Sequence, residues 1–190
     1  MIQERNELMD TRVYRRETAR GIAAALDSIS DESIAQVVKA VEESPRVFFT
    51  GAGRSFLMVE AMAMAFMQIG VTAYVTGGVT TPAIESGDLL IAVSCSGETK
   101  SVALFVEQAK AQGVKIVFIT AKENSTIGKM ADIIVKVAAR PEPGSINETW
   151  VTDNRFEHAI VPLGDCFMEC LARDKGASGK TISENHANIQ

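Results

Sequence analysis

The residues best suited to chemistry are gathered in one stretch, Leu89–Lys100, which reads LLIAVSCSGETK. Ser94, Ser96 and Thr99 place three hydroxyls within six residues, with Gly97 among them. The apolar run before them reads as a buried strand, and the pattern after them as the start of a helix. In such a turn, free backbone amides, hydroxyl donors and the positive end of a helix dipole converge on one point and cradle an anion. Gly97 lets the backbone approach the ligand closely. The anion that suits this turn best is a phosphate. The competing reading makes the Ser and Thr ordinary helix caps. Three hydroxyls directly after a buried strand favour the cradle.

A second turn repeats the logic. Gly51-Ala52-Gly53-Arg54-Ser55 follows the apolar run Val47–Thr50 and precedes an Ala- and Met-rich helical pattern. It lacks the third glycine of a dinucleotide fingerprint, and no acidic residue ends a second strand about twenty residues on, as ribose recognition requires. Ser55 is the better candidate for ligand contact. Arg54 fits two roles equally, neutralising a phosphate or pairing with a surface carboxylate.

The elements that must position these turns follow from periodicity. Residues 12–27 carry Val13, Ala19, Ile22, Ala23 and Leu26 at helical spacing, and Asp31 is the expected cap of a second helix ending near Ser44-Pro45. Strands are expected at Val47–Thr50, Val71–Val75, from Leu89, at Lys115–Thr120 and at Asp132–Val137. Helices are expected at Phe56–Ile69 and Thr99–Gln112, with a single helical turn at Ser125–Met130. This alternation implies a parallel sheet with helices on both faces, whose ligands sit at the carboxyl ends of the strands. Both hydroxyl-rich turns and Thr120 fall on that edge. Ala138–Arg155, with Pro141, Pro143, Gly144 and Asn147, reads as a loop. The last helical pattern, Phe156 to Ala172, is expected to kink or divide at Pro162 and Gly164. The polar tail, Asp174 to Gln190, is expected to be frayed unless something holds it.

Composition excludes several classes. The chain has 190 residues, 46% hydrophobic and 23% charged, which describes one soluble globular domain. A net charge of −5 leaves no basic stripe for nucleic acid. The N-terminus mixes charges without an apolar core, so no signal peptide is expected, and no run is long enough to span a membrane. The expected compartment is the cytoplasm. Cys95, Cys166 and Cys170 lack zinc-like spacing; Cys166 and Cys170, one helical turn apart, read as core thiols.

GAGRS (51–55) and TTPAIESGDLLIAVSCSGET (80–99), with the strands around them, resemble a sugar isomerase (SIS) domain. Together with the terminal His186-Ala187-Asn188, they are most similar to the 6-phospho-3-hexuloisomerases. The resemblance implies one α/β domain over residues 1–190: a five-stranded parallel sheet in a three-layer α-β-α arrangement, doubly wound in the flavodoxin-like or Rossmann-like manner. The N-terminal helices would occupy 12–44, the sheet core 46–137, and the last helix and tail 156–190. It implies isomerisation of 3-hexulose 6-phosphate to fructose 6-phosphate without cofactor or metal. Gly53, Arg54, Ser55, Ser94, Ser96, Gly97 and Thr99 would bind the phosphosugar. Glu157, from the Phe156-Glu157 pair, would be the catalytic carboxylate, and His186 its acid partner. The implied assembly is a homotetramer with sites near subunit contacts, so that His186 could serve a neighbour. Gln68, Ala65, Gly78 and Val79 depart from the family pattern.

Moving a carbonyl to the adjacent sugar carbon needs a base for the α-proton and donors for the enediolate oxygens. Read from the residues alone, Glu157 is a solvated first-turn carboxylate, His186 a mobile tail residue and His158 structural; the resemblance reverses the first two. Glu98, beside the phosphate and repelled by it, caps or contacts substrate rather than acting as base. The alternatives are another aldose–ketose isomerase, such as one for arabinose 5-phosphate, or a phosphosugar sensor without catalysis.

Overall fold

A computed structural model describes residues 11–139 and 154–189. The expected loop at 138–155 falls largely outside these residues, as does the extreme N-terminus. Five strands, β1 (Val47–Thr50), β2 (Ala73–Val75), β3 (Leu89–Val93), β4 (Lys115–Thr120) and β5 (Ile133–Lys136), form one sheet. The order is β2-β1-β3-β4-β5, and every pairing is parallel. This is the doubly wound α/β fold expected from the alternation of strands and helices. β1 and β3 are buried along their whole length, as central parallel strands covered on both faces must be.

Helices α1 (Thr11–Asp27), α2 (Asp31–Glu42), α3 (Arg54–Gln68), α4 (Lys100–Ala111), α5 (Arg155–Lys175) and α6 (Gly179–Asn185), with one 3-10 turn at Gly128–Met130, complete the regular elements among the described residues. Alternate strand residues face two cores. Val47, Phe49, Ile91, Val93, Val117 and Ile119 pack with α2, α3 and α5. Phe48, Leu90, Ala92, Ile116 and Phe118 pack against α4 as the one long helix on that face, with Ile127, Met130 and Ile84 from the connections. The lighter cover has a topological cause. The connection from β2 to β3, residues 76–88, crosses over β1 without forming a helix, because Gly77, Gly78, Pro82 and Gly87 interrupt it. A cavity of about 220 Å³ remains there, between Phe48, Leu90, Ile84 and Phe105.

Three expectations are corrected. Ser30, not Asp31, caps α2: its extended backbone aims Oγ at the Ser33 amide, 3.2 Å away. α5 is not divided at Pro162 or Gly164. Pro162 removes one backbone donor, the partner of the His158 carbonyl, and His158 is on the exposed side where water can replace it. Gly164 is where α5 meets α3; a β-carbon there would lie 3.0 Å from Met62 Cγ. Cys166 is exposed and only Cys170 borders the core, so the two thiols are not a buried pair.

The tail is held. Ser178 and Thr181 form a capping box that starts α6, and Ile182 and Ala177 rest on the main core. The Asn185 Nδ2 group donates to the Gln68 carbonyl at 3.0 Å.

Candidate active site

In a 2-1-3-4-5 sheet the strand order reverses between β1 and β3, and their carboxyl ends splay to leave a crevice. The two turns singled out in the sequence stand at this point: 51–55 after β1 and 94–99 after β3. Each opens a helix, α3 and α4 respectively.

Neither helix is capped by its own side chains, whereas α2 and α6 are. Thr99 occupies the cap position of α4, yet its hydroxyl pairs with Ser94 Oγ at 2.9 Å instead of with a helix amide. Apart from the Phe56 amide, which donates to the Gly53 carbonyl at 3.1 Å, the first-turn amides of α3 and α4 are therefore left for an external acceptor, and the helix dipoles add positive potential there. This sets aside the reading of the hydroxyls as ordinary caps.

The candidates have distinct situations. Ser94 is buried, accepts the Gly97 amide at 3.2 Å and shapes the turn from within. Ser96 is exposed, and its Oγ accepts the Glu98 amide at 3.3 Å, so its own proton remains available to a ligand. Ser55 is largely buried in the first turn of α3. Arg54 and Gly53 are exposed at the same turn, and Gly53 takes φ +57° to start the helix. Gly97 has φ +68°, and a β-carbon there would lie 2.1 Å from Ser125 Oγ. Its small size thus serves the packing of the turn on the loop after β4, a role the sequence did not reveal. The cavity beside α4 is not the phosphate site, since no charged side chain lines it.

Glu98 is turned away from the crevice. Its carboxylate accepts from the Thr126 amide at 3.1 Å and the Thr126 hydroxyl at 2.6 Å. The hydroxyl and amide of Thr126, with Lys122 and Lys129 nearby, hold its carboxyl below the ordinary glutamate range. A carboxylate so engaged is a poor base.

α5 packs along α3, with Gly164 against Met62 near their middles, and α6 follows it to the carboxyl-terminal end of α3. α3 and α5 therefore run in the same direction, and both begin at the carboxyl edge of the sheet. Glu157, half-buried in the first turn of α5, shares that edge with the cradle. His186 does not. It follows Asn185 at the opposite end of α3, and 15 helical residues at 1.5 Å each separate it from Ser55 by about 20 Å. His186 is exposed there, with Nδ1 3.1 Å from the Ala187 carbonyl oxygen. Within one chain the two candidate catalytic residues are not brought together.

Fold and crevice define a doubly wound α/β protein with a candidate anion site at its switch point. The SIS domain family matches residues 41–152, and the chain belongs to that family. The 3-hexulose-6-phosphate isomerase of Bacillus subtilis is 32% identical over 185 residues, spanning 96% of this chain and 100% of that protein. The enzyme of the same name from Mycobacterium gastri is 30% identical over 171 residues, spanning 89% of this chain and 86% of the relative. A crystal structure of a hypothetical protein matches with TM-score 0.87 at 28% identity, covering 94% of this chain and 97% of the other. A hypothetical protein of Methanococcus jannaschii, for which 3-hexulose-6-phosphate isomerase function was inferred, has TM-score 0.78 at 22% identity, with 94% and 99% covered. The last likeness speaks to the fold. No helix among the described residues is long and apolar enough to cross a membrane.

Proposed function

We propose that residues 1–190 form a single isomerase domain that interconverts D-arabino-hex-3-ulose 6-phosphate and D-fructose 6-phosphate in the cytoplasm. The observation that carries this reading is the alignment, at 30–32% identity over 89–96% of this chain, with relatives named 3-hexulose-6-phosphate isomerase. The uncapped amides of α3 and α4 beside Ser55, Ser96 and Thr99 support it, because a phosphosugar needs an anion site that anchors it by one end.

In the forward direction a base removes the proton from C2, next to the C3 carbonyl. The electrons form a 2,3-enediolate, the hydroxyl proton passes from O2 to O3, the abstracted proton returns at C3, and the carbonyl is left at C2. Glu157 is the base in this reading, since it shares the crevice edge and Glu98 is already engaged. Hydrogen-bond donors stabilise the charge that develops on the enediolate oxygens. The chemistry needs neither a metal nor a redox cofactor.

His186 enters the reading only through a second chain, because its own cradle is at the far end of α3. The exposed stripe Leu57, Met64 and Met67 on α3, at 56%, 50% and 38% exposure, is apolar surface that a homotetramer would cover. Turnover of enzymatically prepared 3-hexulose 6-phosphate to fructose 6-phosphate is the expected result with purified protein. Turnover only of arabinose 5-phosphate would move the assignment to another aldose–ketose isomerase. Binding of sugar phosphates without any turnover would make the protein a sensor.

A further inference from the structure

The turn at 94–99 is held from behind by the loop that follows β4. The Cys95 carbonyl accepts from the Ala121 amide and the Thr120 hydroxyl, both at 3.2 Å. The Gly97 carbonyl accepts from the Ile127 amide at 3.1 Å. Gly97 itself lies on the buried Ser125. All peptide bonds here are trans, and in a trans peptide the carbonyl of one residue and the amide of the next point to opposite sides. With the Cys95 and Gly97 carbonyls fixed on the loop, the Ser96 and Glu98 amides are turned toward the crevice. Among the described residues the Glu98 amide has only the Ser96 hydroxyl as partner, at 3.3 Å, a long bond that an anion can displace.

We propose that Glu98 is a positioning residue of the phosphate cradle, which its carboxylate clamps in the binding conformation by holding Thr126 at both the amide and the hydroxyl. This inference rests on the phosphosugar reading given above. The clamp does two things. It ties the last non-helical part of the turn, at the point where it enters α4, to the same loop that fixes the two carbonyls. It also carries a negative charge to the side facing Lys122 and Lys129, away from the place where a phosphate would sit. A carboxylate accepts from two donors at once, whereas a glutamine presents one oxygen and a competing NH₂. The motif residue closest to the phosphate with the same charge is thereby made compatible with it.

The test compares Glu98→Gln, Thr126→Val, their double variant and Thr126→Ser with the unmutated protein. Fructose 6-phosphate and inorganic phosphate affinities are measured by calorimetry, and KM and kcat by assay. Loss of one charge-assisted hydrogen bond predicts a weakening of roughly ten- to hundredfold in affinity and KM. kcat should stay within about twofold, since the base is elsewhere. Thr126→Ser keeps both donors and should bind like the unmutated protein. The double variant should be no weaker than the weaker single one, as two halves of one interaction require. Unchanged affinity in Glu98→Gln and Thr126→Val, additive losses in the double variant, or a fall in kcat at constant KM would overturn the clamp alone. If the unmutated protein binds neither fructose 6-phosphate nor inorganic phosphate, the phosphosugar reading fails and the inference with it.

Discussion

The Asn185 side-chain amide donates to the Gln68 carbonyl at 3.0 Å, and this bond fixes His186 at the amino edge of the sheet, opposite the cradle. α3 begins beside Ser55 and ends at Gln68, so its length is the distance between the two candidate parts of the site. A histidine in that position acts on a substrate only if a second copy brings it to the carboxyl edge.

Complementation tests this directly. A chain carrying Ser96→Ala with Thr99→Ala lacks the cradle donors, and a chain carrying His186→Ala lacks the acid. Each alone should be nearly inactive. If sites are shared between chains, co-refolding the two should restore a substantial fraction of turnover, because a mixed pair contains one site with all its parts. A mixture no more active than the average of its components would confine each site to one chain, and full activity of His186→Ala by itself would make His186 a spectator. A monomer by sedimentation at micromolar concentration would exclude shared sites independently.

The two hydroxyl substitutions also have separate expected effects. Ser96→Ala removes a donor to the ligand together with the acceptor of the Glu98 amide, so it should raise KM by about 1.5–3 kcal/mol in binding, or roughly tenfold or more. Thr99→Ala removes a donor and also the partner of Ser94 Oγ, so its loss should be at least as large. An unchanged KM in the double variant, measured with the fold verified by circular dichroism, would remove the cradle from the mechanism.

Much of the architecture was legible because its cause is local. LLIAV and the IVFI of the fourth strand are unbroken apolar runs, which parallel strands buried on both faces require. What was not legible depended on contacts between distant parts of the chain. Gly97 reads in sequence as an opening for a ligand, but the atom nearest its missing β-carbon belongs to Ser125. Pro162 reads as a break, yet packing on α3 carries the helix through it. The choice between Ser30 and Asp31 as cap rests on one residue's backbone angles, which composition does not set. The edge occupied by His186 follows from the docking of α6, of which sequence periodicity carries no trace.

Gly97 yields a prediction about stability. Alanine there meets both a left-handed φ of +68° and a contact of 2.1 Å with Ser125 Oγ, each costing about 1–3 kcal/mol. Gly97→Ala should therefore lower stability by roughly 2–6 kcal/mol in denaturant titration. Adding Ser125→Gly removes the steric part but not the backbone strain, so recovery should be partial. Full recovery would mean the φ angle is not strained, and no recovery would mean the contact with Ser125 is not what Gly97 accommodates.

Glu98 sets an expectation for pH. Thr126 lowers its carboxyl below the reference value of 4.5, so the folded state holds the carboxylate more firmly than the unfolded chain. The contribution is fully present above 4.5 and is lost as pH falls through the lower folded value. Fructose 6-phosphate affinity should therefore owe nothing to Glu98 titration between about pH 6 and 8. Below 4.5 the stability of the unmutated protein should fall more steeply than that of Glu98→Gln. Parallel stability profiles in acid for the two proteins would show that the bond to Thr126 is too weak in solution to perturb the carboxyl.

The sharpest expectation concerns Glu157. It stands in the first turn of α5, half-buried, on the edge where α3 and α4 present their open amides. Replacing it with glutamine keeps its size and its capacity to hydrogen-bond, but an amide cannot take the C2 proton. General-base contributions of about 10²–10⁴-fold set the expected fall in kcat. KM should change little, because the phosphate anchor is untouched. Proton exchange separates this role from mere positioning. In heavy water the unmutated enzyme should exchange the C3 hydrogen of fructose 6-phosphate, the reverse-direction abstraction, and Glu157→Gln should lose exchange and turnover together. Exchange that persists in the variant would assign the base to another group and leave Glu157 a first-turn carboxylate that merely favours the α5 dipole.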